Sequence, residues 1–158
     1  MSLDSRLSSV LHLLLHLMEA QQAIPSDRLA TALNSNPVVV RRTMAGLRGA
    51  GLVSSEKGHG GGWRLACDPA HTTLLDVYLA LGSPTLFAIG NRSERPTCLV
   101  EQAVNAALDD TLQQAEALMT SRLQTLTLTA LASDFQFRFQ QAQSQQALCA
   151  PQETNHAL

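Results

Sequence analysis

The run from Leu47 to Leu65, LRGAGLVSSEKGHGGGWRL, constrains this chain more than any other stretch. It reads as a helix end closed at Gly51, a strand over Leu52–Glu56, a glycine-rich turn over Lys57–Gly62, and a returning strand over Trp63–Cys67. Upstream, Asn36-Pro37 marks a helix start, because asparagine caps free amides and proline suits the first helical position. The helix it opens, Pro37 to Ala50, carries Arg41, Arg42 and Arg48. A helix followed by a basic, glycine-tipped hairpin suits a DNA duplex. The helix enters the major groove, and the hairpin lies along the backbone or reaches into the minor groove, as in a winged helix-turn-helix.

Composition sets the frame for that reading. The chain has 158 residues, enough for one full domain or a small domain with an appended helix. A hydrophobic share of 45% supplies a core, and 4% aromatics alongside frequent Leu, Ala and Gln favours helices. No apolar run reaches the ~18 residues that span a bilayer, so no membrane partner is expected. The N-terminal LLLHLM is preceded by Asp4 and Arg6 and followed by Glu19 without a small-residue cleavage site, so it reads as an amphipathic helix. Three cysteines do not form a complete disulfide framework, and the expected compartment is the cytoplasm.

A net charge of -2 argues against a nucleic-acid partner until its distribution is considered. From Ser26 to Arg64 the six bases Arg28, Arg41, Arg42, Arg48, Lys57 and Arg64 face only Asp27 and Glu56. Positive charge is thus concentrated where the helix and hairpin lie. Charge alone leaves a merely solvated face open.

The expected fold class is mainly α with a small β-hairpin. Residues 1–82 form a winged helix-turn-helix domain, 83–97 a connecting loop, 98–135 a dimerisation helix with a terminal short helix, and 136–158 a disordered tail. The first helix is expected over Asp4–Ala20, with Leu7, Leu11, Leu14 and Met18 at helical spacing toward the core. Leu13, Leu15 and Leu17 exceed what one core needs and suggest a partner contact. Helix 2 covers Ser26–Leu33, facing Leu29, Ala30 and Leu33 inward. Thr73 and Asp76 suggest a capping box for a helix over Leu74–Leu81. In the loop after it, Phe87 and Ile89 are expected against the core. A long helix from Cys98 or Leu99 to Ser121 places Val104, Leu108, Leu112, Ala115 and Met119 on one stripe, more apolar surface than a small domain covers. A final short helix is expected over Thr127–Phe135, with disorder from Gln140.

On the helix from Pro37, burial of Val40, Met44 and Leu47 turns Val38, Arg41, Arg42 and Ala45 outward. Arg41 is the candidate base reader, since arginine can grip guanine O6 and N7 with two bonds. Arg42 and Arg48 are candidate phosphate contacts, and Val38 or Val39 can meet a thymine methyl. Gly60 and Gly61 allow close backbone approach, flanked by the donors Lys57, His59 and Arg64. A flexible hairpin tip is the plain alternative, and a phosphate-binding loop is disfavoured by the missing GxxxxGK[ST] and by the lack of a strand-to-helix switch after the glycines.

Taken together, helix, helix-turn-helix, AGLV, GxGGGWRL, TLLDVYLALG and a long C-terminal helix resemble the Rrf2 family of bacterial transcription regulators. The resemblance covers Ser5 to Asp134, and Gly58, Gly60–Gly62, Trp63, Arg64 and Leu65 are its most specific part. It implies a homodimer joined through its long helices, binding a near-palindromic operator, usually as a repressor. Lys57 would occupy the position of the family's basic minor-groove residue, and Pro37–Ala50 that of its major-groove helix. Cluster-binding members carry three cysteines before and at the start of the long helix, whereas Asn91–Glu101 offers Cys98 alone. The chain therefore resembles the cluster-free, YwnA-like branch, and no cofactor is expected.

Cys98 is the candidate redox sensor, since a helix start favours thiolate and Arg92 and Arg95 add nearby charge; a small residue without chemistry is the equal alternative. Cys67 and Cys149 read as incidental. His12 and His16 have the spacing of a zinc pair but no third ligand, so a solvated helix face is the preferred reading and no metal is expected. No Ser/His/Asp arrangement, catalytic acid pair or dinucleotide fingerprint points to an enzyme. The sequence thus favours a homodimeric DNA-binding regulator answering an oxidant or small-molecule effector. A winged protein-interaction module without operator binding is the alternative.

Overall fold

Asn36 starts the central helix of the fold by accepting the Val38 amide on its side chain at 2.8 Å. In the computed structural model, which describes residues 4–58, 60–87, 91 and 97–149, that helix is α3 (Pro37–Gly49). It follows α1 (Arg6–Glu19) and α2 (Ser26–Ala32). Its far end closes on Gly51, at φ 76°. The Leu52 amide donates to the Leu47 carbonyl at 3.0 Å and the Gly51 amide to Arg48 at 3.0 Å, the paired bonds of a Schellman cap. The strands β1 (Val53–Glu56) and β2 (Gly62–Leu65) then pair antiparallel, Val53 opposite Leu65 and Glu56 opposite Gly62.

Val40, Met44 and Leu47 of α3 are buried as the sequence predicts, against Leu29 and Ala30 of α2, Val53 and Trp63 of the hairpin, and α1. On α1 the expected phase is only partly right, Leu14 alone of the four expected residues being fully buried. The buried residues are Val10, Leu13, Leu14 and Leu17, while Leu7, Leu11 and Met18 are only half-buried. Consecutive leucines make α1 apolar around much of its circumference, so periodicity alone does not fix which stripe turns inward.

Thr73 and Asp76 form the expected capping box at the start of α4 (Leu74–Ala80), the Thr73 amide donating to Asp76 at 2.7 Å and the Asp76 amide to Thr73 at 3.1 Å. α5 (Leu99–Thr125) packs beside α4, and among the described residues Asn105 is its only buried side chain. Val104, Leu118 and Met119 are exposed, whereas Leu108, Leu112 and Ala115 are half-buried. The turn after α5 is tied down by main-chain bonds from Leu74 to Leu126 at 2.8 Å and from Leu128 to Thr72 at 3.0 Å.

The last helix, α6 (Leu128–Cys149), departs from the short helix and disordered stretch expected there. Its Gln, Ala and Leu residues are good helix formers, so a Gln-rich, polar composition is compatible with helix here. Phe87 is half-buried, and Ile89 lies outside the described residues. No helix among the described residues is long and apolar enough to cross a membrane. The architecture is thus mainly α with one small hairpin: a winged helix-turn-helix followed by a long helix.

Candidate nucleic-acid interface

With its inner face locked into the core, α3 presents the opposite face freely. Val38 and Val39 are 64% and 56% exposed, an unusual display for two adjacent β-branched residues at a helix start. Arg41, Arg42 and Ala45 are exposed beside them. Arg41 folds back, its Nε donating to the Pro37 carbonyl at 3.3 Å, and Arg42 has no ion pair among the described residues. The first turns of α3 therefore carry two methyl-bearing side chains and two guanidinium groups on one accessible surface.

The hairpin is fastened to this helix bundle by a third strand-like contact. Ile24 and Trp63 exchange main-chain bonds at 3.0 and 2.9 Å, and the Trp63 indole donates to Ser26 Oγ at 2.9 Å. Gly62 is required here, because a Cβ would stand 2.4 Å from the Ile24 carbonyl. Gly61 is equally confined, its Cβ direction meeting the Glu56 carbonyl at 2.4 Å. Gly58 and Gly60 adopt φ of 98° and 79°, the left-handed region that turns the tip.

Two of the expected DNA contacts are engaged within the protein. Arg64 donates to the Gln21 carbonyl at 3.0 Å and forms an ion pair with Glu56. Arg48 donates to Ser55 Oγ at 3.0 Å, with its guanidinium 6.0 Å from the Trp63 ring centre. Both side chains brace the hairpin against α3 and the connector before α2. Lys57 is exposed at the tip without an ion pair among the described residues. His59 lies outside the described residues. Sequence reading missed Gln21, Ile24, Ser26 and Ser55 as supports, since they act through main-chain groups and hydroxyls that carry no periodic signal.

Cys98 occupies the N-cap of α5 and is exposed. The Glu101 and Val100 amides at the first turn lower its thiol below the usual range. Arg92 and Arg95, expected to add positive charge, lie outside the described residues. Cys67 is half-buried against the core.

The sequence profile of Rrf2, described as an iron-dependent transcriptional regulator, matches residues 3–134. The chain belongs to the Rrf2 family. Rrf2 proteins are DNA-binding transcriptional regulators rather than enzymes. The HTH-type transcriptional regulator YwnA of Bacillus subtilis is 34% identical over 127 residues, covering 80% of this chain and 93% of YwnA. Among solved structures, a transcriptional regulator from Lactobacillus plantarum matches with TM-score 0.72 at 23% identity, covering 92% and 99% of the two chains. CymR, the global cysteine regulator of B. subtilis, matches with TM-score 0.62 at 21% identity, covering 84% and 97%.

The family description raises iron, and the described residues of this Rrf2 chain do not gather as a cluster site. An iron–sulfur cluster needs several thiolates or equivalent ligands converging on one place. Cys98 stands at the start of α5, Cys67 near the hairpin and Cys149 at the end of α6. Among the described residues, no three His, Cys, Asp or Glu side chains gather to hold a metal.

Proposed function

We propose that this Rrf2 protein is a homodimeric, sequence-specific repressor acting in the cytoplasm on a near-palindromic operator. The observation that carries the reading is the outward face of α3, where Val38, Val39, Arg41 and Arg42 are exposed while Val40, Met44 and Leu47 anchor the helix in the core. Arg41 and the valines are assigned to base edges, Arg42 to phosphate, and Lys57 with Gly60 and Gly61 to the adjacent minor groove. Arg48 and Arg64 act chiefly by setting the angle of the hairpin. His59 is retained as a tip donor.

Dimerisation is supported by the apolar residues that α5 leaves uncovered, Val104 and Leu118 among them. Two copies of α3 about 34 Å apart would read successive major grooves on one side of the duplex. Cys98 is assigned to oxidant sensing on the strength of its exposed position and favoured thiolate. Oxidation there would act on the start of the helix that joins the subunits.

The test is selection of bound sequences from random duplexes, followed by salt titration on the selected site. Enrichment of a two-fold symmetric motif, with affinity falling steeply as salt rises, is expected. Binding that prefers no duplex at any ionic strength overturns the reading.

A further inference from the structure

We propose that the cavity beside the first turn of α1 is a further anchoring point for the duplex, where Arg6 exchanges the Asp4 carboxylate for a backbone phosphate. The cavity, about 280 Å³, lies between the start of α1, the turn that joins α2 to α3, and the flank of α3. Its polar walls are Ser5 and Ser9 on the α1 side, Asn34 and Ser35 in the turn, and Thr43 of α3. The Arg6 guanidinium is the one charged group among its lining residues. Val39, more than half exposed on the face assigned to base edges, forms part of the same wall, so the cavity is continuous with that face. An anion seated there meets hydroxyl and amide donors, one cation and no lining acid.

Arg6 is already shaped for such an anion, because it holds one. Its Nε donates to both Asp4 carboxylate oxygens at 3.0 Å and its Nη2 to Oδ2 at 2.6 Å, the forked grip that a guanidinium also gives phosphate. The Arg6 amide adds a further bond to Asp4 Oδ1 at 3.0 Å. Water reaches both side chains and screens the pair, so one oxyanion can replace the other at small cost. Asp4 thus stands in for the phosphate in the free protein and opposes it in the complex. On its own such a pair would be a solvated helix end. The acid-free donor lining and the shared wall at Val39 are what give it a ligand.

Arg42 and Lys57 belong to α3 and the hairpin tip, whereas Arg6 belongs to α1, so the duplex would be held from a third element. Contacts to phosphate fix register and orientation. Arg6 would therefore help to set the tilt of α3 in the groove. This inference rests on the DNA-binding function proposed above.

Salt titrations of the full chain on the selected duplex test it. Arg6→Ala is expected to reduce the slope of log affinity against log salt by about 1. Arg6→Lys should keep the slope and bind less tightly, since an ammonium lacks the fork. Asp4→Asn should raise affinity by about threefold, the scale of one surface ion pair that no longer has to be broken. In the Arg6→Ala background the same Asp4 substitution should have no effect. A scan of single neutral methylphosphonates along the duplex should find a position that weakens the parent and leaves Arg6→Ala unaffected. An unchanged slope in Arg6→Ala overturns the proposal, as does a scan with no such position. An Asp4→Asn gain that persists without Arg6 would mean long-range repulsion alone and overturns it too. A parent that binds no duplex overturns this proposal together with the function beneath it, whereas a binding parent with a neutral Arg6→Ala overturns this one alone.

Discussion

Arg64 reaches across 43 residues of sequence to donate a 3.0 Å hydrogen bond to the main-chain carbonyl of Gln21. A residue that looks like a phosphate clamp in the sequence is thereby a strut between the wing and the connector that precedes α2. The pairing with Glu56 further offsets its charge within the hairpin.

Substitution should separate struts from DNA contacts. Lys57→Ala and Arg42→Ala are each expected to reduce the slope of log affinity against log salt by about 1. Arg64→Ala should leave that slope within error of the parent, while weakening binding through a displaced wing. Salt titrations of the three variants on one duplex check this, and an equal slope loss in Arg64→Ala refutes the strut assignment.

Gly62 has no room for a side chain. Gly62→Ala places a methyl 2.4 Å from the Ile24 carbonyl, so the Ile24–Trp63 bridge must open or the hairpin must shift. A loss of about 1–3 kcal/mol is expected by chemical denaturation, the range for overpacked sites. An Ala variant as stable as the parent would mean the hairpin docks more loosely than these contacts require.

Exposed apolar residues on α3 predict a methyl-dependent readout. Val38→Ala should leave stability within about 0.5 kcal/mol, because the side chain is 64% exposed. Its operator affinity should fall by about 1 kcal/mol, near the value of one buried methylene group. Replacing thymine by deoxyuridine at the contacted position should produce the same loss in the parent protein and none in the variant. Additive losses would break the assignment.

The Cys98 thiol should be unusually reactive at moderate pH. Its ionisation is favoured by the Glu101 and Val100 amides, so the folded-state pKa lies below that of an unfolded thiol. The thiolate population, and with it the alkylation rate, should therefore rise and level off at lower pH in the native protein than in denaturant. Iodoacetamide kinetics on a Cys67→Ser/Cys149→Ser background measure both profiles. Coincident profiles would show that the helix start does not influence this sulfur. In the parent, oxidant should alter operator binding, and Cys98→Ser should abolish that response while leaving the reduced protein's binding intact.

Much of this architecture was readable before any coordinates, and the boundary of that legibility is physical. Asn36, Gly51, Thr73 and Asp76 act on amides within a turn of themselves, so their roles follow from residue type and position. The inward face of α3 was legible because Val40, Met44 and Leu47 recur at helical spacing, with Arg41, Arg42 and Arg48 falling off that stripe. The phase of α1 was not, since its leucines offer several competing stripes and the packing of α4, β2 and α6 chooses among them. At the interface, sequence marked Arg41, Arg42 and Lys57 as readily as Arg48 and Arg64. Nothing local announced that Gln21, Glu56 and Ser55 would engage the last two.

Trp63, the only tryptophan in the chain, is buried where the wing meets the helices, its indole held by Ser26 and overlain by Arg48. The molecule thus has an intrinsic optical reporter at the junction between the hairpin and the helices, the two parts proposed to face DNA. A red shift in its emission when duplex is added would reveal the wing swinging free, whereas an unchanged spectrum would mean the two parts meet the helix as one preformed jaw.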